Sequence, residues 1–313
     1  MSILVATRSN PDIWVSQMKK YFPERTIVTL EEPFDRRSVH YVLSWYHPEG
    51  SLTGLPNLTA IFSIGAGVDH LFRDTRLPEA LIIRAINENL TNRMSEYVLL
   101  HCLSYLRQSD YLADCQKQKL WMNNPSAPSA QDIRIGIMGY GVLGQDAGRK
   151  LQMVGFDVAG WVRTPHETED ISLFTGEQEL EAFLNRTDIL VCLLPLTDET
   201  RGILNLKLFE KLPQDGVLGG PYLINAGRGE CQIEEDIIAA LDQNILKGAT
   251  LDVFQKEPLP PESPLWQHPG IILTPHNAAI SNSRHIAKGI AEAINMLEKG
   301  DIPPGIVSRE QQY

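Results

Sequence analysis

The chain has 313 residues, of which 43% are hydrophobic and 21% charged; this composition is typical of a folded globular protein, and the length suits two domains of ordinary size. The formal net charge of −11 at pH 7 argues against nucleic acid and anionic membranes as general partners. We expect a cytoplasmic protein, because the N-terminal sequence lacks a signal-peptide segment and no run approaches the ~18 apolar residues of a membrane span. We also expect no metal, because the four cysteines show no metal-binding spacing; they are Cys102, Cys115, Cys192 and Cys231.

The first hundred residues predict an α/β unit of their own. Five short apolar segments are predicted strands: Ile3–Ala6, Thr26–Leu30, Tyr41–Trp45, Leu58–Ile64 and Leu81–Arg84. Trp14–Phe22, between the first two, has the spacing of an amphipathic helix. Strands that alternate with helical segments indicate a parallel sheet with helices on both faces.

A glycine-containing loop, Ile64–Asp69, follows the fourth of these strands directly. Its bare backbone N–H groups could bind a small anion. A tight strand-to-helix turn explains the same residues equally well, and the local sequence does not decide between the two.

Met94–Gln118 predicts one long helix that is apolar almost all round in its first half. A helix without a polar face has to be covered on more than one side. It therefore joins the two domains, forms a subunit interface, or does both, and we expect a homodimer. The segment that follows, Asn123–Gln131, has the composition of a linker.

The stretch Ile133–Leu151 contains the most informative pattern in the chain. An apolar strand runs into Gly139-Tyr140-Gly141-Val142-Leu143-Gly144, which fits G-x-G-x-x-G and opens a helix that Gly155 ends. In such a site Gly139 makes the tight turn, Gly141 lets a pyrophosphate approach the backbone and Gly144 lets the helix pack on its strand. The helix N-terminus holds the phosphates. With a second strand at Asp157–Val162, this context favours dinucleotide binding over a simple glycine-rich turn.

The end of that second strand indicates which dinucleotide is bound. An NAD site usually carries Asp or Glu there to hold the ribose 2′-OH, but this strand is followed by Arg163 and Thr164. A cation and a hydroxyl suit a 2′-phosphate, whereas the nearest carboxylates, Glu167, Glu169 and Asp170, lie beyond Pro165 and too far along the loop. NADPH is therefore favoured over NADH. The alternative is that Arg163 is a solvated loop charge.

The rest of the chain continues the α/β pattern. Four further strands are predicted at Ile189–Leu194, Tyr222–Ala226, Gly248–Asp252 and Ile271–Thr274, with helices at Gln178–Asn185, Lys207–Leu212 and Ile233–Asn244. Counted from Ile133, the strands number six, as in a doubly wound dinucleotide-binding sheet. A last helix, Ser283–Lys299, has one apolar stripe and stops at Gly300, and we expect it to return to the first domain.

Three polar segments follow the last three of these strands. They contain Arg228, the carboxylates Asp252 and Glu257, and His276. Ligands bind outside the carboxyl ends of parallel strands, so all three segments should lie at the cofactor. Reduction of a 2-keto acid needs three such groups: a guanidinium that binds the carboxylate through two hydrogen bonds, an acid that protonates the carbonyl oxygen, and a partner that keeps this acid charged. Asp252 and Glu257 compete for the role of partner, and the local sequence does not decide.

These motifs, together with the GAGVD loop and the run DVFQKEPLPPESPLWQHP, resemble the D-2-hydroxyacid dehydrogenases over essentially the whole chain, and within that family the glyoxylate/hydroxypyruvate reductases of the A type. The resemblance implies an α/β protein of two doubly wound parallel-sheet domains. A Rossmann dinucleotide-binding domain (98–283) would be inserted in a flavodoxin-like substrate domain (1–97 and 284–313). It also implies an NADPH-dependent enzyme that reduces glyoxylate to glycolate and hydroxypyruvate to D-glycerate. The alternatives are a sister activity on phosphoglycerate, phosphite or formate, and a non-enzymatic regulator that senses NAD(P).

The resemblance further implies a role for each site residue. Arg228 binds the substrate carboxylate and carbonyl, His276 is the general acid/base, and Glu257 holds and charges His276. Asp252 orients the nicotinamide carboxamide. Other cofactor contacts are implied for Leu194, Pro195, Ala226 and Ala278, and substrate contacts for Trp45, Ala66, Gly67, Val68 and Met94. Trp45 would wall the pocket, so that a hydroxymethyl group is about the largest substituent accepted easily.

Overall fold

The computed structural model describes residues 1–7, 10–122, 127–165, 171–280 and 282–312. The chain forms two units, one of Met1–Leu90 with Ser281–Tyr313 and one of Thr91–Ile280. The assignment of substrate binding to residues 1–97 with 284–313, and of dinucleotide binding to 98–283, stays a prediction. Part of the predicted linker (123–126) and the loop carboxylates Glu167, Glu169 and Asp170 lie outside the described residues.

The first unit is built on a parallel sheet. Its strands are β1 Ser2–Thr7, β2 Ile27–Thr29, β3 Val39–Trp45, β4 Ala60–Ser63 and β5 Leu81–Ile83, and its helices are α1 Pro11–Tyr21, α2 Asp69–Phe72 and α9 Ser283–Lys299. In the described part of this unit, five strands pair in the order β2-β1-β3-β4-β5. This is the flavodoxin-like order 2-1-3-4-5.

Alternation along β1 divides the core of the first unit between the two faces of its sheet. Ile3 and Val5 belong to a cluster that contains α1 and α9 residues, while Leu4 and Ala6 belong to a second cluster on the opposite face. The apolar stripe of α9 lies in the first cluster, as the sequence predicts, and the helix ends at Gly300 in a left-handed conformation (φ 84°).

The second unit is also built on a parallel sheet. Its strands are β6 Arg134–Met138, β7 Asp157–Val162, β8 Ser172–Thr175, β9 Ile189–Cys192, β10 Tyr222–Asn225, β11 Gly248–Leu251 and β12 Ile271–Leu273. Over the residues described here, seven strands pair in the order β12-β11-β10-β9-β6-β7-β8. Read from β8, the first six follow the doubly wound order 3-2-1-4-5-6. The predicted fold class, two parallel α/β sheets with a Rossmann arrangement in the second, is confirmed.

Six helices accompany this sheet in the described ranges. They are α3 Glu88–Leu106 (whose first residues belong to the first unit), α4 Ser109–Lys117, α5 Val142–Val154, α6 Gly176–Asn185, α7 Leu206–Phe209 and α8 Glu234–Asp242. The predicted end of α5 is confirmed: Gly155 has φ 106°, and the N–H groups of Gly155 and Phe156 bond to carbonyls of the last turn. Within the described ranges, no helix is long and apolar enough to cross a membrane.

The prediction of six strands in the second sheet was wrong by one. The additional strand, β8, pairs only with β7 in the described sheet and lies at its edge. Its four residues are exposed or half-buried, so they do not form the continuous apolar run that marks a central parallel strand.

The prediction of a single helix over Met94–Gln118 was also wrong. The helix begins earlier, where Asn87 Oδ1 accepts a hydrogen bond from the N–H of Leu90 (2.9 Å) and so caps the first turn. The break falls at Gln108, which is left-handed (φ 50°) and precedes α4. Asp110 lies in the first turn of α4, where its negative charge is favoured by the helix dipole.

Candidate active site

The glycine-rich turn after β6 shows why glycine is needed at two of its three positions. Gly139 has φ 94°, and a Cβ there would lie 2.8 Å from the carbonyl group of Leu193. A Cβ on Gly144 would overlap the carbonyl oxygen of Gly139 and lie 3.3 Å from Ile137. A tight turn and a close helix–strand contact therefore exclude a larger side chain at Gly139 and Gly144.

Gly141 differs, because a Cβ there would meet no atom of the protein within 4 Å. It is the N-cap residue of α5 and has no side chain to accept from the first N–H groups of the helix. Open space beside a helix N-terminus is what a pyrophosphate requires, so the turn fits a dinucleotide.

The other residues of this motif divide between core and surface. Tyr140 is 2% exposed, and a Cβ on Gly148 or Gly160 would overlap its ring, so its side chain is part of the core. Val142 is exposed and Leu143 half-buried. Among the motif residues, Val142 and Leu143 are thus the ones whose side chains reach the surface.

Arg163 and Thr164 follow β7, as the sequence predicts. The Arg163 guanidinium forms an ion pair with Glu199 (Nη1–Oε2 3.0 Å), and both side chains are more than a third exposed. Thr164 is exposed. A ligand phosphate at Arg163 would therefore compete with a carboxylate, a partner that the sequence did not reveal.

Arg228 lies in a loop that Asn225 organises. Asn225 Oδ1 accepts a hydrogen bond from the N–H of Gly227 (3.0 Å), and its amide donates to Oε1 of the buried Gln232 (2.7 Å). Gln232 in turn donates to the carbonyl oxygen of Val253 (3.0 Å). These bonds join the loops that follow β10 and β11, so Arg228 is held beside the segment that carries Glu257.

His276 and Glu257 form a direct pair. Nδ1 of His276 lies 2.7 Å from Oε2 of Glu257, and Oε1 of Glu257 accepts a hydrogen bond from the N–H of Phe254 (3.0 Å). The bond from Glu257 raises the pKa of His276 above its ordinary value, against partial burial and the positive charge of Arg228. Burial raises the pKa of Glu257, but the bond and charge of His276 outweigh it and hold that pKa below the ordinary value. With Nδ1 engaged, Nε2 is the ring nitrogen that can exchange a proton with a ligand.

Asp252, the rival partner for His276, has a different set of contacts. Its carboxylate accepts hydrogen bonds from Thr274 Oγ1 (2.6 Å) and from the N–H groups of Asn277 (2.9 Å) and Ala278 (3.0 Å). Its main-chain oxygen accepts from the N–H of His276 (2.8 Å). Asp252 thus holds the backbone around His276 and does not touch the imidazole.

The first-unit residues predicted to contact substrate lie close together. The Trp45 ring packs on the backbone of Gly65, where a Cβ would lie 2.5 Å from it. Ser63 Oγ is within hydrogen-bonding distance of the carbonyl oxygens of Gly65 (3.0 Å) and Gly67 (2.7 Å) and so shapes the loop. The loop leads into α2, as a strand-to-helix turn does, and leaves Ala66 and Gly67 half-buried. Both interpretations of this loop stay open.

The remaining predicted residues are mostly buried. Leu194, Ala226 and Ala278 are buried, Pro195 is half-buried, and Met94 lies in a hydrophobic cluster of the second unit. Sequence reasoning missed the supporting residues Asn225, Gln232, Thr274 and Glu199. An asparagine two residues before a glycine at a strand end is a recognisable turn signal, whereas the other three carry no local pattern.

Comparison with known proteins places the chain in a family. The family model described as D-isomer specific 2-hydroxyacid dehydrogenase, NAD binding domain, matches residues 99–278. A probable 2-hydroxyacid dehydrogenase from Rhizobium etli CFN 42, solved in complex with NADP, HEPES and L(+)-tartaric acid, is 40% identical with a TM-score of 0.95, over 100% of this chain and 99% of that one.

Two further solved structures cover the same proportions of both chains, 100% and 99%. The NADPH-dependent glyoxylate/hydroxypyruvate reductase from Sinorhizobium meliloti, in complex with NADP and sulfate, is 40% identical with a TM-score of 0.93. A D-isomer specific 2-hydroxyacid dehydrogenase from Xanthobacter autotrophicus Py2, in complex with NADPH and MES, is 34% identical with a TM-score of 0.93. The matches extend well beyond the dinucleotide-binding segment.

Proposed function

The chain belongs to the D-isomer specific 2-hydroxyacid dehydrogenases, an NAD(P)-dependent enzyme family, and on this basis we propose that it reduces small 2-keto acids with NADPH. Glyoxylate would give glycolate, and hydroxypyruvate would give D-glycerate. The observation that carries the proposal is the His276–Glu257 pair, 2.7 Å apart, beside the loop of Arg228. The similar Sinorhizobium meliloti protein is described as acting on these two substrates.

The cofactor site is proposed at the turn between β6 and α5. The open space beside Gly141 and the N-terminus of α5 support this, because a pyrophosphate needs both room and unpaired N–H groups. NADPH, when bound, supplies the hydride that the keto carbon receives. Leu194, Pro195, Ala226 and Ala278 are proposed to contact the cofactor. Asp252 is proposed to accept a hydrogen bond from the nicotinamide carboxamide, since its Oδ2 accepts one backbone bond and retains a second lone pair.

NADPH is proposed as the preferred cofactor, with NADH used less well. Arg163 and Thr164 offer a cation and a hydroxyl to a 2′-phosphate at the end of β7. The related proteins from Rhizobium etli and Sinorhizobium meliloti were solved with NADP. The ion pair with Glu199 places a negative charge beside the same guanidinium, and this charge opposes the binding of a phosphate there.

The reaction requires an anion site and a proton donor from this chain. Arg228 is proposed to bind the substrate carboxylate and carbonyl, because a guanidinium can make two parallel bonds to a planar anion. Protonated His276 donates a proton from Nε2 to the carbonyl oxygen as the carbon receives hydride. Glu257 keeps His276 charged and fixes its ring through Nδ1.

Trp45, Ala66, Gly67, Val68 and Met94 are proposed to contact the substrate. The packing of Trp45 on Gly65 supports this for the first four, because it places a rigid indole beside the loop whose N–H groups could face a carboxylate. For Met94 the support is the family resemblance alone. The same proposal assigns residues 1–97 and 284–313 to a substrate domain and residues 98–283 to a dinucleotide-binding domain, and the latter also contributes Arg228 and His276 to the reaction.

A homodimer is proposed, with α3 at its interface. Buried residues of α3 pack within the second unit, but Leu100 on the same helix is 58% exposed. Nearby in the chain, Tyr111, Leu112, Leu120 and Met122 are about half exposed, and Trp121 is 96% exposed. Apolar surface of this extent along consecutive segments is typical of a protein–protein contact.

A substrate panel with purified protein tests the proposed function. NADPH consumption should be fastest with glyoxylate and hydroxypyruvate, and the His276→Ala variant, prepared in parallel, should show whether a contaminant contributes. Phosphohydroxypyruvate, and oxidation of formate or phosphite with NADP, test the sister activities. If one of these substrates reacts faster than glyoxylate and hydroxypyruvate, or if no keto acid is reduced, the proposed substrate class is wrong.

A further inference from the structure

A hydrogen-bonded chain links helix α3 to the backbone that carries His276. The hydroxyl of Tyr97 lies 2.7 Å from Thr274 Oγ1, and Thr274 Oγ1 donates to Oδ1 of Asp252 at 2.6 Å. Thr274 has one hydroxyl proton, which is used in the bond to Asp252, so Tyr97 has to be the donor in the first bond. The two hydrogen bonds therefore run in one direction: Tyr97 donates to Thr274, and Thr274 donates to the Asp252 carboxylate.

The far end of this chain is a strained turn. His276 has φ 52°, a left-handed conformation that is costly for a residue other than glycine. The N–H groups of the next two residues, Asn277 and Ala278, both donate to the Asp252 carboxylate. A conformation of this kind persists only when neighbouring contacts hold it, and Asp252 supplies these contacts.

Tyr97, at the opposite end of this series of hydrogen bonds, can donate its hydroxyl proton to Thr274 under all working conditions. It is 8% exposed and Asp252 is 1% exposed, so water cannot readily replace either partner. Burial also raises the pKa of Tyr97, which keeps its hydroxyl protonated at every pH at which the protein would work. The Tyr97 bond polarises the Thr274 hydroxyl and so strengthens the bond from that hydroxyl to Asp252. Without the Tyr97 bond, the bond from Thr274 to Asp252 is weaker.

We propose that Tyr97 is a positioning residue for the reaction: through Thr274 and Asp252 it fixes the turn at 276–278 and thereby the place of the His276 imidazole. The inference rests on the proposed role of His276 as proton donor. Arg228 lies outside this series of bonds, and no charged group is removed with the Tyr97 hydroxyl. Loss of that hydroxyl should therefore lower kcat, change the KM for glyoxylate little, and shift the pH midpoint of the reaction far less than Glu257→Gln does.

Tyr105 provides a matched control. Its hydroxyl lies 2.6 Å from Thr250 Oγ1, on the same helix and against the same sheet, but this bond does not reach Asp252. Tyr97→Phe and Tyr105→Phe thus each remove one Tyr–Thr hydrogen bond, partly buried in the first case and buried in the second, and only the first interrupts the series of bonds to His276. Thr274→Val removes the middle of the chain, and Thr274→Ser restores a hydroxyl at that point.

The experiment measures kcat, KM and pH profile for the four variants, together with amide hydrogen exchange at Asn277 and Ala278. Tyr97→Phe and Thr274→Val should lower kcat about 2- to 10-fold, the range that one hydrogen bond corresponds to, and should speed exchange at both amides. Tyr105→Phe should do neither, and Thr274→Ser should recover most of the kcat lost in Thr274→Val.

Three results would overturn the inference: wild-type kcat in Tyr97→Phe, an equal loss in Tyr105→Phe, or no recovery in Thr274→Ser. Failure of the proposed function is a separate result, because the wild-type protein itself would then reduce no keto acid. In that case amide exchange decides alone: unchanged exchange in Tyr97→Phe overturns the inference, and faster exchange there supports the link to the turn.

Discussion

Oε2 of Glu257 lies 2.7 Å from Nδ1 of His276, while Oε1 of the same carboxylate is held by the backbone N–H of Phe254. One oxygen thus fixes the carboxylate and the other fixes the imidazole. The contact favours the charged ring, so the pKa of His276 is raised and its protonated form persists to higher pH than that of an isolated histidine.

The first prediction concerns pH. Reduction needs protonated His276, so kcat/KM should fall as pH rises through the pKa of His276, which lies above the ordinary value of about 6.5. Glu257→Gln removes the charge that raises this pKa, and the midpoint should move to lower pH. The measurement is the pH profile of glyoxylate reduction, with Glu262→Gln, an exposed residue of the same loop, as control. An unmoved midpoint in Glu257→Gln would assign the pH dependence to another group.

The second prediction separates proton transfer from substrate binding. His276→Ala should lower kcat by about 10²–10⁴, as loss of a general acid does. Arg228→Lys should mainly lower kcat/KM, because a point charge cannot replace a two-pronged guanidinium. Steady-state kinetics with glyoxylate measure both effects. Near-normal kcat/KM in either variant, with folding verified by circular dichroism, would remove that residue from the proposed mechanism.

The third prediction concerns the 2′-phosphate. Arg163→Asp should shift preference from NADPH toward NADH, since it replaces the cation with an acceptor for the ribose 2′-OH. Glu199→Gln should lower the KM for NADPH, because the guanidinium no longer pairs with a charged carboxylate. The ratio of kcat/KM for the two cofactors is the measurement. A ratio that neither substitution changes would leave Arg163 as a solvated loop charge.

The fourth prediction concerns the substrate wall. Trp45→Ala should improve phenylpyruvate relative to glyoxylate, because it empties the space beside Gly65 and weakens contacts with the smallest substrates. Trp266→Ala, at a tryptophan that is 53% exposed, serves as the control and should not alter the ranking. If the wild-type protein already has a higher kcat/KM for phenylpyruvate than for glyoxylate, Trp45 does not limit the size of the substrate.

The fifth prediction concerns assembly. Leu100→Asp places a charge on the exposed side of α3 and should dissociate the proposed dimer, whereas Glu96→Gln, at an exposed polar position of the same helix, should not. Multi-angle light scattering at micromolar concentration gives the mass of each variant. A monomeric wild-type protein would show that the apolar face of α3 does not mediate a dimer.

The elements with strong local signals could be predicted from the sequence. α5 combines an amphipathic period with glycine at both ends, and α9 has one apolar stripe and a glycine stop, so their bounds follow from the sequence alone. Edge strand β8 and the break at Gln108 lack such signals. The first is only partly buried, and the second depends on a left-handed residue that is neither glycine nor asparagine.

The candidate site shows the same division. Arg228, Glu257 and His276 were predictable because each follows a strand in a recognisable segment. The contacts of Thr274 with Tyr97 and of Glu199 with Arg163 join residues far apart in the sequence, at 177 and 36 positions of separation. Such pairs are set by how the strands and helices pack, and no local pattern marks them.

The core of the first unit requires both ends of the described chain, because Ile286, Ile290 and Ile294 of α9 share one cluster with Ile3 and Met18. During translation, all of Thr91–Ile280 leaves the ribosome before α9 does. The second unit can therefore complete its sheet first, which reverses the usual N-terminal-first order of domain folding. Until α9 emerges, α1 covers only part of one apolar face of the N-terminal sheet, and the part that α9 will cover stays exposed. This is the surface on which a nascent-chain chaperone would be needed longest.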